Sequence, residues 1–356
     1  MGRSDLGRAK PVRQMNERKK LILQAVVDDY ISTADPVGSR SIARKYNLGI
    51  SPATIRNEMA DLEEEGYLCQ VHTSSGRIPS DTGYRFYVDV IMEAKPLSPD
   101  ERRKVLQELA HRQGQIEATV QHTARILASL TNQAVVVISP RFGESVIRRI
   151  DLIPMSEDSL LVIMITEPGF VNTRIVQLSG TISPQEIVGI THYLNERLNG
   201  KTVKDLRSTL LSEIEWELRR YKYLAQEAIE LLLKALNDKG TERVFREGTV
   251  NMLAQPEFQD ISKVKGLLSI LEEDDLMFDI LTGINPSGGV EILIGHENAI
   301  EELHECSIVS ASYEVGGHMA GIIGILGPTR MDYSRIVNLV GFVADSLSGA
   351  LAKSRR

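Results

Sequence analysis

Apolar positions over the first ninety residues repeat at helical spacing, in blocks separated by turn residues. Leu21, Ile22, Ala25, Val26 and Tyr30 recur every three or four positions, one broad face of a helix that Asn16 can cap. That helix is expected to end near Ala34, ahead of Pro36. A short helix over Ser39–Tyr46 follows, then a turn at Asn47–Gly49. In the next block Ser51 is a good N-cap, Pro52 suits the first helical position and Gly66 closes the helix. Within it Ile55, Met59 and Leu62 fall on one face at i, i+4 and i+7. Leu68–Val71 reads as a strand, a loop rich in Gly and Ser follows, and Ser80 caps a fourth helix running to about Glu93. Three helices, a tight turn between the second and third, and a strand–loop–extended segment make a winged helix-turn-helix pattern.

Beyond a Pro-containing linker at Ala94–Asp100, a long helix is expected, with Leu106, Leu109, Ile116, Val120, Leu127 and Leu130 on its stripe and Gly114 weakening its middle. From Ala134 the period drops to that of strands: "AVVVIS", "VIRRIDLIPM", "LLVIMIT" and "NTRIVQL". Ser183-Pro184-Gln185-Glu186 is a capping box that opens a helix to about Leu198. Further on, Ile214, Leu218, Tyr221, Ala225, Ala228 and Leu232 form one stripe of a long amphipathic helix, a surface suited to a partner helix. A strand over Arg243–Leu253 and a helical region from Glu257 lead back to strand patterns in "GVEILIG", "CSIVSASYEV" and "HMAGIIGILG", closed by an amphipathic helix. Strands, a helical block, then strands again suggest one α+β domain with a helical insertion.

Composition is that of an ordinary globular chain: 356 residues, 42% hydrophobic and 25% charged. The net charge of −7 is unevenly divided. Residues 1–87 hold 13 Lys and Arg against 11 Asp and Glu, a net of +2, and the remainder holds 28 against 37, a net of −9. The N-terminal part can therefore meet a polyanion. Residues 1–14 carry Arg3, Arg8, Lys10 and Arg13 against Asp5, either a solvated terminus or a basic arm for a phosphate backbone. Two distant cysteines give no disulfide framework and no zinc ribbon, which fits a reducing cytoplasmic setting. No apolar run is long enough for a membrane span.

The candidate chemistry is recognition of DNA. With Ile55, Met59 and Leu62 inward, the third helix turns Ala53, Thr54, Arg56, Asn57 and Ala60 outward. Arginine can make bidentate bonds to guanine, asparagine can do so to adenine, and Ala and Thr permit close approach to a thymine methyl. Ser51 and the exposed N–H groups beside it suit a phosphate, and Ser39 and Arg40 at the start of the second helix join this set. The loop "TSSGRIPS" is no nucleotide P-loop: position 71 is valine where a glycine is required, and Arg77 stands for the lysine. As a hairpin tip, Thr73, Ser74, Ser75, Gly76 and outward Arg77 fit a minor groove or backbone. Tyr84, Phe86 and Tyr87 read as packing residues, with Arg85 as an exposed partner for phosphate. His296, His304, Cys306 and His318 could be considered for a soft metal, but no spacing repeats a zinc pattern, so no metal or cofactor is expected. No nucleophile–base arrangement stands out, so an enzyme is not expected. "GPTRMDYSR" reads as structural.

The long stretches "PVGSRSIARKYNLGISPATIRNEMADLEEEGYL" and "HTSSGRIPSDTGYRFYVD", with "GILGPTRMDYSRIV" near the C-terminus, resemble the HrcA family of bacterial heat-inducible transcription repressors. The resemblance runs from about Met15 onward. The loop reads TSSG where TSAG is expected, and residues 1–14 are an unmatched extension. It implies an α+β multidomain protein: a winged-helix domain at 15–93, a GAF-like domain at 94–200 with 277–356, and a dimerising subdomain inserted at 201–276. It further implies a homodimer on double-stranded DNA at an inverted-repeat operator (CIRCE), repression of chaperone operons, and modulation by the GroEL chaperonin. A metabolite sensor with its ligand in the GAF-like domain is the alternative.

Overall fold

The structure is a computed structural model that describes residues 15–70, 76–93, 95–110, 116–139, 146–156, 159–167, 171–177, 183–202, 244–284, 289–315 and 318–353. The chain forms two compact units. One contains the chain up to Pro96 together with Leu293–Ser307 and Gly327–Ile336, and the other contains the rest.

In the first unit, α1 (Glu17–Thr33) starts where Asn16 accepts the Lys19 N–H at 2.8 Å. It stops at Ala34, which turns left-handed at φ 61° and donates its N–H to the Tyr30 carbonyl. After α2 (Ser39–Lys45), Ser51 caps α3 (Pro52–Glu64) by accepting the Thr54 N–H. Ile22, Leu23, Val26 and Val27 of α1, Ile42 of α2, and Ile55, Met59 and Leu62 of α3 are all buried. Each such side chain contributes about 1.5–3 kcal/mol on leaving water. Two short antiparallel strands follow, β1 (Leu68–Cys69) and β2 (Ile78–Pro79), in the register Leu68↔Pro79 and Cys69↔Ile78. Ser80 then caps α4 (Asp81–Phe86), which continues as a wider turn to Ile91. Tyr84, Phe86 and Tyr87 are buried, as their pattern predicts. Tyr84 lies 5.8 Å from the Tyr333 ring and Phe86 5.3 Å from Tyr67.

Tyr87 donates its hydroxyl to Asp28 at 2.9 Å. Burial raises the Asp28 carboxyl above its ordinary value, and the Tyr87 bond opposes part of that shift. A carboxyl raised in the folded state favours folding only while protonated, below its unfolded value, and that contribution is lost as pH rises through the folded one. Asp28→Asn, which can still accept from Tyr87, is therefore expected to raise the melting temperature at pH 7. The gain should disappear on titration into the acid range, as thermal melts across pH would show.

In the second unit, α5 (Pro99–Ala110) and α6 (Ile116–Thr131) occupy the stretch read as one long helix, and Gly114 lies between them, outside the described residues. The main sheet has the order β7-β3-β10-β9-β8. Its strands are β3 (Ala134–Ile138), β7 (Val244–Glu247), β8 (Val290–Ile294), β9 (Cys306–Val315) and β10 (His318–Pro328). β3 pairs antiparallel with both neighbours, from Ile322↔Ile138 to Leu326↔Ala134 and from Val135↔Glu247 to Ile138↔Val244. The helices α8 (Thr249–Leu253), α9 (Ile261–Glu272) and α10 (Asp274–Ile284) follow β7, so the strand expected over 243–253 is strand only at 244–247, with 243 outside the described residues. Closing the chain is α11 (Tyr333–Lys353), whose Leu339, Val340, Val343 and Leu347 are buried. By length and composition its Tyr333–Ala352 stretch could cross a membrane, at a mean hydropathy of 1.3. It packs instead on the sheet, where the Ser348 hydroxyl accepts the Glu314 N–H of β9 at 2.9 Å.

Three strands form a sheet of their own: β4 (Val146–Ser156), β5 (Ser159–Glu167) and β6 (Val171–Gln177), ordered β4-β5-β6. The helix α7 (Pro184–Leu198) opens with the expected capping box of Ser183 and Glu186. Asn195 of α7 mimics a strand against the β4 edge, accepting the Ile150 N–H at 2.9 Å and donating to the Ile150 carbonyl at 2.6 Å. Among the described residues the sheets divide the chain differently from the expected boundary at 201: the main sheet holds β3 up to Ile138 and takes up the chain again at Val244. The physical reason is visible in β3 and β4. All five residues of β3 are buried, as a central strand covered on both faces requires, whereas β4 exposes Ile153 and Met155 on a sheet with an open face.

Candidate nucleic-acid interface

The turn between α2 and α3 is built by Tyr46, which bonds back to Ile42, and by Gly49, which holds a positive φ of 68°. Ion pairs then fix α3 to α1 along their outer edges. Lys19 reaches Glu65 at 2.6 Å and Asp61 at 3.5 Å, and Arg18 reaches Glu58 at 3.4 Å. With Ile55, Met59 and Leu62 buried below, α3 presents Ala53, Arg56, Asn57 and Ala60 to solvent, with Thr54 half-buried beside them. Arg56 has no ion pair among the described residues, so its full donor set points outward uncommitted. Ser51 uses its hydroxyl locally: it accepts the Thr54 N–H and shares a 2.9 Å bond with the Thr54 hydroxyl. On α2, Arg40 is exposed and Ser39 half-buried. Arg44, one turn after Arg40, is exposed as well, and the i, i+4 spacing puts the two arginines on one face of α2.

Thr73, Ser74 and Ser75 lie outside the described residues, and so do Ile214, Leu218, Tyr221, Ala225, Ala228 and Leu232 and the basic N-terminal stretch. Gly76 and Arg77 are described, and they correct the reading of an outward arginine. The backbone at Arg77 pairs with Val37 in both directions at 2.9 Å, forming a bridge beside β2. Its guanidinium turns inward over α3, and Nε and Nη2 both reach Glu63 Oε2 at 2.8 Å. A carboxylate within reach satisfies the cation more fully than water does, so the side chain is drawn to it.

Arg85 is likewise half-buried and not the exposed side chain expected. Its Nε donates to Glu297 Oε1 at 2.8 Å, a second nitrogen holds the other Glu297 oxygen, and Nη1 reaches Asp89 at 3.2 Å. One turn earlier on α4, Asp81 Oδ2 accepts from the His296 backbone at 2.9 Å and pairs with its ring Nδ1 at 2.7 Å. Gly295, at φ 54°, lets that carboxylate settle, since a Cβ there would lie 2.2 Å from Asp81 Oδ2. The residues 293–307 and 327–336 thus hold α4 and α1, and Arg330 donates to the Ile31 carbonyl at 2.9 Å. "GPTRMDYSR" is structural to this extent. Tyr333 packs on Tyr84 and bonds to Ser307 and the Thr329 carbonyl, both at 2.6 Å.

His296 stacks on His304 at 4.5 Å, while Cys306 is buried and its thiol is pushed up to about 12 by burial. Among the described residues no three His, Cys, Asp or Glu side chains come together as a metal site. A recess of about 760 Å³ lies between β4 and α7, lined by Arg149, Asp151, Ile187, Val188 and His192. Arg149 is taken up by Asp151 at 2.8 Å, and the recess, on the three-stranded sheet, lies within the 94–200 part of the expected GAF-like domain.

Comparison with known proteins supports a regulatory chain. Residues 117–337 match the family model described as "HrcA protein C terminal domain". The heat-inducible transcription repressor HrcA of Pelotomaculum thermopropionicum is 43% identical over 340 residues, covering 96% of this chain and 98% of that protein. Its counterpart in Moorella thermoacetica is 43% identical over 344 residues, covering 96% and 100%. A solved structure described as "Crystal structure of a hypothetical protein at 2.2 A resolution" superposes with a TM-score of 0.64 at 25% identity, covering 96% of this chain and 100% of that one. Near-full-length identity of this kind leaves one conclusion: the chain belongs to the HrcA family, whose named members are heat-inducible transcription repressors.

Proposed function

We propose that this protein is a non-catalytic transcription repressor that binds an inverted-repeat operator as a dimer and releases it on heat shock. Residues 15–93 act as the winged-helix module, and α3 is its recognition helix. The observation that carries this reading is the outward face of α3. Ala53, Arg56 and Asn57 are exposed directly above a fully buried Ile55–Met59–Leu62 face, behind a tight turn from a helix bearing Arg40 and Arg44. Arg56 and Asn57 read base edges, Thr54 lies beside the backbone, and the arginines of α2 meet phosphates.

The main sheet with α5, α6 and α8–α11 is the GAF-like domain in this reading, and 139–243 is the inserted dimerising block. Two copies would present two recognition helices to a palindrome. In this reading the operator is the CIRCE element of chaperone operons, and the GroEL chaperonin is the modulator. The test is a gel shift on a CIRCE-type inverted repeat with and without purified chaperonin. Binding that is specific, two-fold in stoichiometry and tightened by chaperonin is expected. Equal affinity for the repeat and for a scrambled duplex would refute the operator reading, and indifference to chaperonin would refute the modulator.

A further inference from the structure

Three DNA-facing parts of the module converge on one residue. Backbone bonds in both directions tie Arg77 to Val37, which leads into α2. Its guanidinium grips Glu63 in the last turn of α3 with two N–H groups on one carboxylate oxygen, each at 2.8 Å. It also stands at the root of the Gly/Ser loop, immediately before β2, which pairs with β1. Both partners are largely withdrawn from water, with side-chain exposures of 21% for Arg77 and 33% for Glu63.

We propose that Arg77 is a positioning residue that locks the wing root to the recognition helix, and that it is not a phosphate contact. The inference rests on the operator-binding reading above. Were Arg77 to turn to a phosphate, Glu63 would be left unpaired beside a polyanion. Kept together, the pair carries no net charge, releases no counterion and adds nothing to the salt dependence of binding. Its work is geometric: it fixes the angle between α3 and the wing, so both reach the duplex at once. Loosening that angle penalises a site that needs both contacts in register, and hardly affects DNA bound through charge alone.

The experiment uses the full chain and an inverted-repeat duplex selected by the wild-type protein from a random library, with a scrambled duplex of equal length as reference. Affinities are measured over a salt series for wild type, Arg77→Ala, Arg77→Lys, Glu63→Gln and the Arg77→Ala/Glu63→Gln double variant, each checked by circular dichroism melts. Arg77→Ala and Glu63→Gln are each expected to weaken the selected duplex by about five- to tenfold, the scale of a partly withdrawn ion pair. The scrambled duplex should change less than about twofold and the salt slope should be unaltered, since no phosphate contact is lost. The double variant should be no weaker than the weaker single, because both remove one interaction, and Arg77→Lys should retain most of the affinity. The nearly isosteric Glu63→Gln keeps the test informative if Arg77→Ala folds poorly. A phosphate contact would behave otherwise: Arg77→Ala would lower the salt slope by about one and weaken both duplexes alike, and Glu63→Gln would tighten binding. Either result overturns the proposal while leaving the operator reading intact. Failure of the wild-type protein to select any duplex would remove that reading, and this inference with it.

Discussion

Replacing Gly76 by alanine is expected to destabilise the N-terminal unit by about 2–3 kcal/mol and to abolish ordered pairing at the root of the wing. A Cβ at this position would lie 2.4 Å from both the Val37 carbonyl carbon and its oxygen, and 2.7 Å from the Pro36 carbonyl carbon. These are backbone atoms, which cannot rotate aside as a side chain can. The chain would have to open the Val37–Arg77 bridge, losing two backbone hydrogen bonds of 2.9 Å and displacing Arg77 from Glu63. The same substitution at Gly189 serves as the contrast. That glycine lies within α7 with nothing within 4 Å of its Cβ position, so alanine there should stabilise by about 0.5–1 kcal/mol through helix propensity alone. Chemical denaturation of both variants decides the matter. If Gly76→Ala unfolds like wild type, the close approach drawn here is wrong.

Arg56→Ala should cost about 1–3 kcal/mol of specific operator affinity, or roughly five- to 150-fold, if its guanidinium makes a bidentate base contact. Arg56 is exposed on α3, so its removal creates no cavity and should leave the melting temperature within the small range of surface changes. Arg56→Lys separates charge from geometry. Lysine keeps the cation but lacks the planar fork, so its affinity for scrambled DNA should hold while operator preference falls. Competition gel shifts at fixed salt read both quantities. Equal operator affinity for Arg56→Ala and wild type would end the base-reading role, and an equal loss on all sequences would reassign Arg56 to the backbone.

Arg56 and Arg77 show where reading a sequence succeeds and where it stops. Both are single cations in segments suited to DNA. The outward position of Arg56 follows from the i, i+4, i+7 spacing of Ile55, Met59 and Leu62, and those three are buried. The inward turn of Arg77 depends on Glu63, fourteen residues earlier, and no local pattern says which charge a flexible side chain will meet. For Arg85 the deciding carboxylate, Glu297, is 212 residues away.

The amino-acid sequence determined what depends on neighbours in the chain: the caps at Asn16, Ser51 and Ser183, the stop at Ala34, the buried faces of α1 and α3, and the strand period from Ala134 onward. Dihedral preferences, capping bonds and side-chain periodicity act over a few residues, so they are legible without a fold. Only the tertiary structure decided that β3 joins β10 and β7 while β4, β5 and β6 form a sheet of their own, and that Arg77 and Arg85 are paired with carboxylates. A strand's period is local, but its partner is chosen by long-range burial and hydrogen bonding. An arginine's role is likewise set by whichever carboxylate the fold brings within about 3 Å of it.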